Sequence, residues 1–335
     1  MARTTPPRPV DPEAVFPALA AHRGTTTRLH PRPGEPSVTD SHVGGPLLWP
    51  ADTPWPVCTH QHPRDRGRRP QDIRLRRFLG EHWVRSGGRT PGEERQELLR
   101  ALEDEYEVAG LGDSEPIPLI GVAQFHRNDV PDLPPGPDGC DLLQLFWCPF
   151  DRHGTTGYGM HVELRWQRSD EVTHPLAEQP EPQVVGYEGY LPEPCVLHPE
   201  QVTTYQYAGL LPAELDAAIT DWAGPPELRR GGRPQYQYDL SIPPGWRIGG
   251  FASWHVTDPY PMDCPSCGRA MALVLTVDSS EWDGGTYSWI PVEDGESARE
   301  RKEGTPTKVT VARWGELNVF GCPADPGHPN RWSVQ

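Results

Sequence analysis

Long apolar runs are missing from this sequence of 335 residues. No stretch approaches the roughly 20 apolar residues of a membrane-spanning helix, so no membrane role is expected. The N-terminus, Met1-Ala-Arg-Thr-Thr-Pro-Pro-Arg8, lacks the apolar core of a secretory signal, which predicts a cytoplasmic protein. Cations are in the minority, with 31 Lys and Arg against 47 Asp and Glu and a formal net charge of −16. Nucleic-acid binding draws its affinity from counterions released by basic side chains, so no nucleic-acid partner is expected. Signatures of common chemistries are also absent: there is no G-x-S-x-G elbow, no P-loop and no H-E-x-x-H. Gly110-Leu-Gly112 is a fragment of a dinucleotide motif with no strand ahead of it.

Apolar residues make up only 35% of the chain, beside 42 prolines and 34 glycines. That composition lies just under the level at which a non-periodic chain is disordered. Twelve tryptophans argue the other way, because large rings give a chain surface to bury. Pro and Gly therefore read as loops between short strands, and the fold class predicted is mainly β, a β-rich α+β protein.

Residues 1–40 read as a Pro/Arg-rich arm with a short helix around Glu13 to His22. A first β module spans 41–167, with strand-like blocks at Val43–Trp55, Ile117–Phe125, Leu142–Phe150 and Met160–Gln167. Within it, 63–115 changes character and is predicted to be a helical insertion. Its basic run, Arg64 to Arg77, reads as a solvated face. Pro91 to Glu107 reads as an amphipathic helix with Leu98, Leu99, Leu102 and Tyr106 on one side. A loop-rich connector, 168–245, carries a short helix at Pro212–Trp222 with Gly224 just beyond it. A second β module follows over 246–335.

The two modules resemble each other. Gly44-Gly45-Pro-Leu-Leu-Trp49 matches Gly249-Gly250-Phe-Ala-Ser-Trp254. A proline-rich turn and a cysteine come next in both, Pro54 to Cys58 and Pro259 to Cys264. Each copy closes on a strand and a Cys-Pro: Leu143-Gln-Leu-Phe146-Trp-Cys148-Pro149 and Leu317-Asn-Val-Phe320-Gly-Cys322-Pro323. With the apolar strand Leu119 to Phe125 against Leu273 to Val277, four matches in one order predict two pseudo-repeated antiparallel β modules. The paired glycines suit a bulge or tight strand entry, because glycine reaches φ > 0 and admits close backbone approach.

At these residues the chain resembles the YwqG-like family, bacterial proteins without an assigned activity. The segments that carry the likeness are Ser41-His-Val-Gly-Gly45, Pro118-Leu-Ile-Gly-Val-Ala-Gln124-Phe125, Leu142-Leu-Gln-Leu-Phe146, His198-Pro-Glu-Gln-Val-Thr-Thr-Tyr205, Ile248-Gly-Gly250 and Leu317-Asn-Val-Phe320. The resemblance implies a mainly β fold with pseudo-twofold internal similarity. Family members lie in gene neighbourhoods that include toxin and immunity genes, so it also implies an interaction role. The cysteine pattern and the 63–115 insertion depart from the family's simplest form.

Seven cysteines in a reducing compartment suggest metal ligands and buried thiols before disulfides. Cys264-Pro-Ser-Cys267-Gly268 has the form of a zinc knuckle, in which backbone N–H groups support two thiolates on one ion. Cys322 and His328, in a turn-rich loop, complete a structural zinc site; His255 is the rival for the fourth place. A redox Cys-x-x-Cys would open a helix, whereas this one precedes a strand. The first module carries an echo in Cys58, His60, Cys148 and His153, with His62 beside His60 as an alternative. This set is a candidate second metal site. Asp278, Glu281 and Asp283 cluster after a strand, as an acid/base pair or cation site in one reading and a solvated loop in the other.

Two functional classes follow. One is a zinc-stabilised binding module without its own chemistry, of immunity or regulatory type, with an acidic surface suited to a basic protein or peptide. The other is a metal-dependent, hydrolase-like enzyme using the first-module site. Three ligands and a water there would favour the enzyme; four ligands would favour the binder.

Overall fold

The computed structural model describes residues 2–85, 92–154, 159–225, 228, 232–295, 298–299 and 303–335. Strands begin with β1 (Arg23–Arg28), β2 (Arg32–Pro33), β3 (His42–Val43), β4 (Val57–Cys58), β5 (Arg66–Gly67) and β6 (Tyr106–Glu107). They continue with β7 (Ile117–Pro118), β8 (Ile120–His126), β9 (Leu142–Trp147), β10 (Val162–Gln167), β11 (Cys195–Val196) and β12 (Glu200–Tyr205). The last are β13 (Arg247–Ile248), β14 (Ala272–Asp278), β15 (Glu316–Gly321) and β16 (Arg331–Val334).

Two six-stranded sheets carry the architecture, in the orders β10-β9-β8-β3-β11-β2 and β12-β1-β13-β14-β15-β16. Every ladder in them is antiparallel. The central strands are buried along almost their whole length: all six residues of Leu142–Trp147 and five of six in Glu316–Gly321. The first reads as a near-continuous apolar run, whereas the second alternates, Glu316-Leu-Asn-Val319, with its polar positions buried as well. One hydrophobic cluster joins the sheets, with Val43, Phe125, Leu145 and Trp147 from the first and Ile248, Leu275, Val277 and Val319 from the second.

Matching positions in the two sheets share backbone detail. A bulge interrupts the β8–β9 ladder between Gly121 and Ala123, and another the β14–β15 ladder between Leu273 and Leu275. The bulged residues are Val122 and Val274. Gly44 donates its N–H to the carbonyl of Val122 at 2.8 Å, and Gly249 donates to that of Val274 at 2.9 Å. Both glycines sit at φ +70°. A Cβ on Gly44 would lie 2.6 Å from the carbonyl oxygen of Glu193, so the fold requires glycine there.

Several expectations change in the folded chain. The segment read as an arm supplies β1 to the interior of the second sheet and β2 to the edge of the first, and the segment read as a connector supplies β11 and β12. Three consecutive threonines, Thr25 to Thr27, suit a strand, but no apolar alternation marks them. The stretch at 44–55 forms no strand beyond an isolated bridge at Pro50. Its prolines remove ladder donors, and its tryptophans pack a second cluster instead. The N-terminal helix is a single turn, α1 (Pro12–Val15), capped by Asp11, followed by a 3-10 segment from Pro17 to His22.

The 63–115 region holds two helices, α2 (Pro70–Arg85) and α3 (Glu93–Ala101), while Tyr106 falls in β6. Pro91, where the second helix was expected to begin, lies outside the described residues. The basic run is ion-paired, although Arg66 and Arg74 keep exposed side chains. Arg68 and Arg76 pair with Glu188, Arg74 pairs with Glu181, and Arg77 reaches Glu193 at 3.0 Å. A further helix, α4 (Ala213–Ala223), ends at Gly224, whose φ of +68° suits glycine, as the sequence indicates. Among the described residues, no helix is long and apolar enough to cross a membrane.

Candidate metal centres

Each sheet presents one Cys/His cluster, and in each the four ligand atoms lie within 4.8 Å of one another. The second-sheet cluster is Cys264, Cys267, Cys322 and His328. Cys322 follows directly on β15, so a rigid buried strand aims it. Cys264 and Cys267 belong to a tight turn closed by the bridge between Asp263 and Ala270. Gly268 sits there at φ +71°, and its N–H donates to the Cys264 carbonyl at 2.8 Å.

The contacts are short. Cys264 Sγ lies 3.4 Å from His328 Nδ1, and Cys267 Sγ lies 3.5 Å from Cys322 Sγ. That sulfur separation is far beyond an S–S bond of about 2 Å, and all seven cysteines are free. His328 turns its other nitrogen, Nε2, to Asp325 Oδ2 at 3.4 Å, an outer carboxylate of the kind that orients metal-bound histidines. Burial raises the Cys322 thiol, but His328 and the N–H groups of Ala324 and Asp325 outweigh it and bring it down to about 6. Burial likewise raises Cys264, and the N–H groups of Cys267 and Ser266 reverse the sign. Cys267 is exposed at the surface of this cluster.

The first-sheet cluster is Cys58, His62, Cys148 and His153, all four buried. Cys58 is fixed by the β4–β7 ladder opposite Ile117, and Cys148 lies one residue past β9. His62 Nε2 stands 3.5 Å from both sulfurs, and His153 Nε2 stands 3.4 Å from Cys58 Sγ. His62 Nδ1 meets the Pro63 carbonyl at 2.9 Å. Nδ1 therefore carries the proton, leaving the Nε2 lone pair for the cluster. The bond to Cys148 pulls the Cys58 thiol down, while burial pushes Cys148 up. Two adjacent buried thiols do not both ionise unless a cation neutralises them.

His60, expected in this cluster, lies outside it. It is exposed, and its ring packs against His161 at 4.4 Å between centroids. The loop turns so that His62, four residues after Cys58, points inward. Arg64 enforces that turn. Fully buried, it donates to the carbonyls of Cys58, His60, His62 and Glu115. No charge count along the chain marks Arg64 as the inward residue of a basic run. His255, the rival of His328, is exposed and lies outside both clusters.

The acidic group at 278–283 is mostly interior. Glu281 is buried and accepts the Trp246 N–H at 3.0 Å, Asp278 is half-buried, and only Asp283 is exposed. A scan against protein-family models and a search of the curated proteins each return no match.

Proposed function

We propose that this chain is a zinc-stabilised binding module of the cytoplasm, without catalysis of its own, acting on a basic protein or peptide in an immunity-type or regulatory role. The observation that carries it is the first cluster: four nitrogen and sulfur donors, all buried, form a closed set. A hydrolase-like enzyme would need three ligands and a solvent position there.

Zinc fits the donors on chemical grounds. Thiolates with imidazole in a four-fold set are its usual structural ligands. Bonds of about 2.3 Å to sulfur and 2.0 Å to nitrogen make tetrahedral edges of about 3.5–3.8 Å, close to the 3.4–3.5 Å contacts of both clusters. The acidic charge supports a basic partner through electrostatic steering. On this reading the chain is a duplicated, zinc-binding variant of the YwqG-like type. The equivalent bulges and glycine contacts of the two sheets support the duplication.

Metal analysis tests the reading first. Purified protein should carry zinc at both clusters, His62→Ala should lose one equivalent, and His60→Ala should lose none. Cys264→Ser should also lose one equivalent and much of the folding stability, since structural zinc binding is coupled to folding. A Cys264→Ser protein that keeps its zinc and its melting temperature would sink the assignment. Capture of a basic protein that weakens steeply between low and physiological salt would support the binding role. Zinc-dependent hydrolysis abolished by His153→Ala would overturn it.

A further inference from the structure

The ends of β14 and β15 remote from Cys264 and Cys322 form the floor of a cavity of about 350 Å³. Its walls include Asp278, Glu316, Ser253, Tyr238, Arg313 and Trp314. Asp278 and Glu316 are direct cross-strand partners, so two carboxylates stand side by side at the floor. Like charges so placed repel each other unless a cation intervenes.

The protein offsets Glu316 more than Asp278: Arg247, with 1% of its side chain exposed, forms a buried ion pair with Glu316. Arg247 is the buried cation behind Glu316, but its Nη1 lies 3.5 Å from Glu316 Oε2 and its Nε has no partner. Glu316 is otherwise occupied by the Ser253 hydroxyl and by Asn318 Nδ2 at 2.9 Å. Asp278 accepts only backbone N–H groups, from Gly245 at 2.9 Å and Ser280 at 3.1 Å. A carboxylate has about four acceptor positions, so Asp278 keeps unused capacity. Arg313 is exposed at the mouth, where solvent and salt screen its charge far more than that of groups at the floor.

Aromatic rings complete the site. Trp314 is 69% exposed and Tyr238 is 44% exposed. Both border the same cavity, which sets aromatic rings beside its acidic floor. Ring faces attract cations, by about 0.5–2 kcal/mol according to desolvation. The volume falls at the lower end of ligand pockets, about 300–1,000 Å³.

We propose that this cavity binds a small organic cation, with its ammonium or guanidinium group between Asp278 and Glu316 and its carbon chain against Trp314 and Tyr238. The assignment is independent of the metal centres. The cation has two sources, a free amine or guanidine and a Lys or Arg side chain of a partner. The second source rests on the binding-module reading and the first does not.

Calorimetric titration of the zinc-loaded full chain at pH 8 separates the outcomes. The probes are n-butylammonium, n-butylguanidinium, the uncharged n-pentanol, and the blocked peptide acetyl-Gly-Lys-Gly-amide. Saturable binding is expected for the cations and not for pentanol. Asp278→Asn and Trp314→Ala should each weaken it about tenfold, the equivalent of about 1.4 kcal/mol, with unchanged circular dichroism and no loss of melting temperature. Asp278→Asn keeps the side-chain shape, so lost binding would not reflect lost fold. Tighter binding of the peptide than of butylammonium assigns the cavity to a partner's side chain. Equal or tighter binding of the free amine assigns it to a small molecule, whatever becomes of the protein-partner reading. Absence of saturable binding by every cation, or affinity unchanged in Asp278→Asn, overturns the proposal.

Discussion

Arg64 and Asp278 carry opposite charges, and both were expected among solvated groups. Arg64 is held by main-chain carbonyls around the first cluster. Each of these neutral acceptors offsets part of the cost of burying a guanidinium. Asp278 has less relief, from two main-chain N–H groups. Burial, and then the neighbouring Glu316, raise its carboxyl to about 7, against the opposing effects of the Gly245 and Ser280 N–H groups and of Arg247. A carboxyl whose folded pKa is raised contributes stability that is present below its unfolded value, about 4, and lost as pH rises through about 7. Asp278→Asn should therefore stabilise the protein at pH 8 by roughly 1–3 kcal/mol and have little effect at pH 4. Urea denaturation at the two pH values reads this directly; a variant less stable than wild type at pH 8 would refute it.

Elements were legible where local pattern and burial agree. The apolar run Leu142–Trp147 and the capped helix ending at Gly224 form as their residues suggest. β1 was not legible, because its threonines become buried only when β12 and β13 flank them. The Gly pairs are the clearest element-level signal, and they differ in what surrounds them. An added Cβ would lie 2.6 Å from the Glu193 carbonyl oxygen at Gly44 and 3.0 Å from Asp132 Cβ at Gly249, whereas at Gly110, φ +83°, it would meet open space. All three pay the left-handed cost on substitution by alanine, about 1–2 kcal/mol. Gly44→Ala adds a backbone clash, so chemical denaturation should rank its loss first, Gly249→Ala second and Gly110→Ala last. Equal losses at Gly44 and Gly110 would show that the strand entry yields readily.

At the scale of the whole molecule the two clusters differ in access. All four ligands of the first are buried, whereas Cys267 of the second is exposed and the His328 side chain keeps 27% of its surface. On the zinc reading proposed above, a chelator should thus strip metal in two phases, the fast one from the second cluster. Cys267→Ser should abolish the fast phase and spare the slow one; a single phase in both proteins would contradict the difference in burial. The sequence by itself indicated the two halves of the second cluster, Cys264 with Cys267 and Cys322 with His328, and the mainly β class. Ligands within a few residues are set by local turn geometry, and apolar runs between Pro and Gly breaks leave few alternatives to strands. Only the tertiary structure decided that His62 rather than His60 joins Cys58, Cys148 and His153. That choice depends on Arg64 gathering carbonyls from segments distant in sequence. Tertiary structure alone also brings Asp278 and Glu316 together under Trp314, because cross-strand register pairs residues that no spacing along the chain relates.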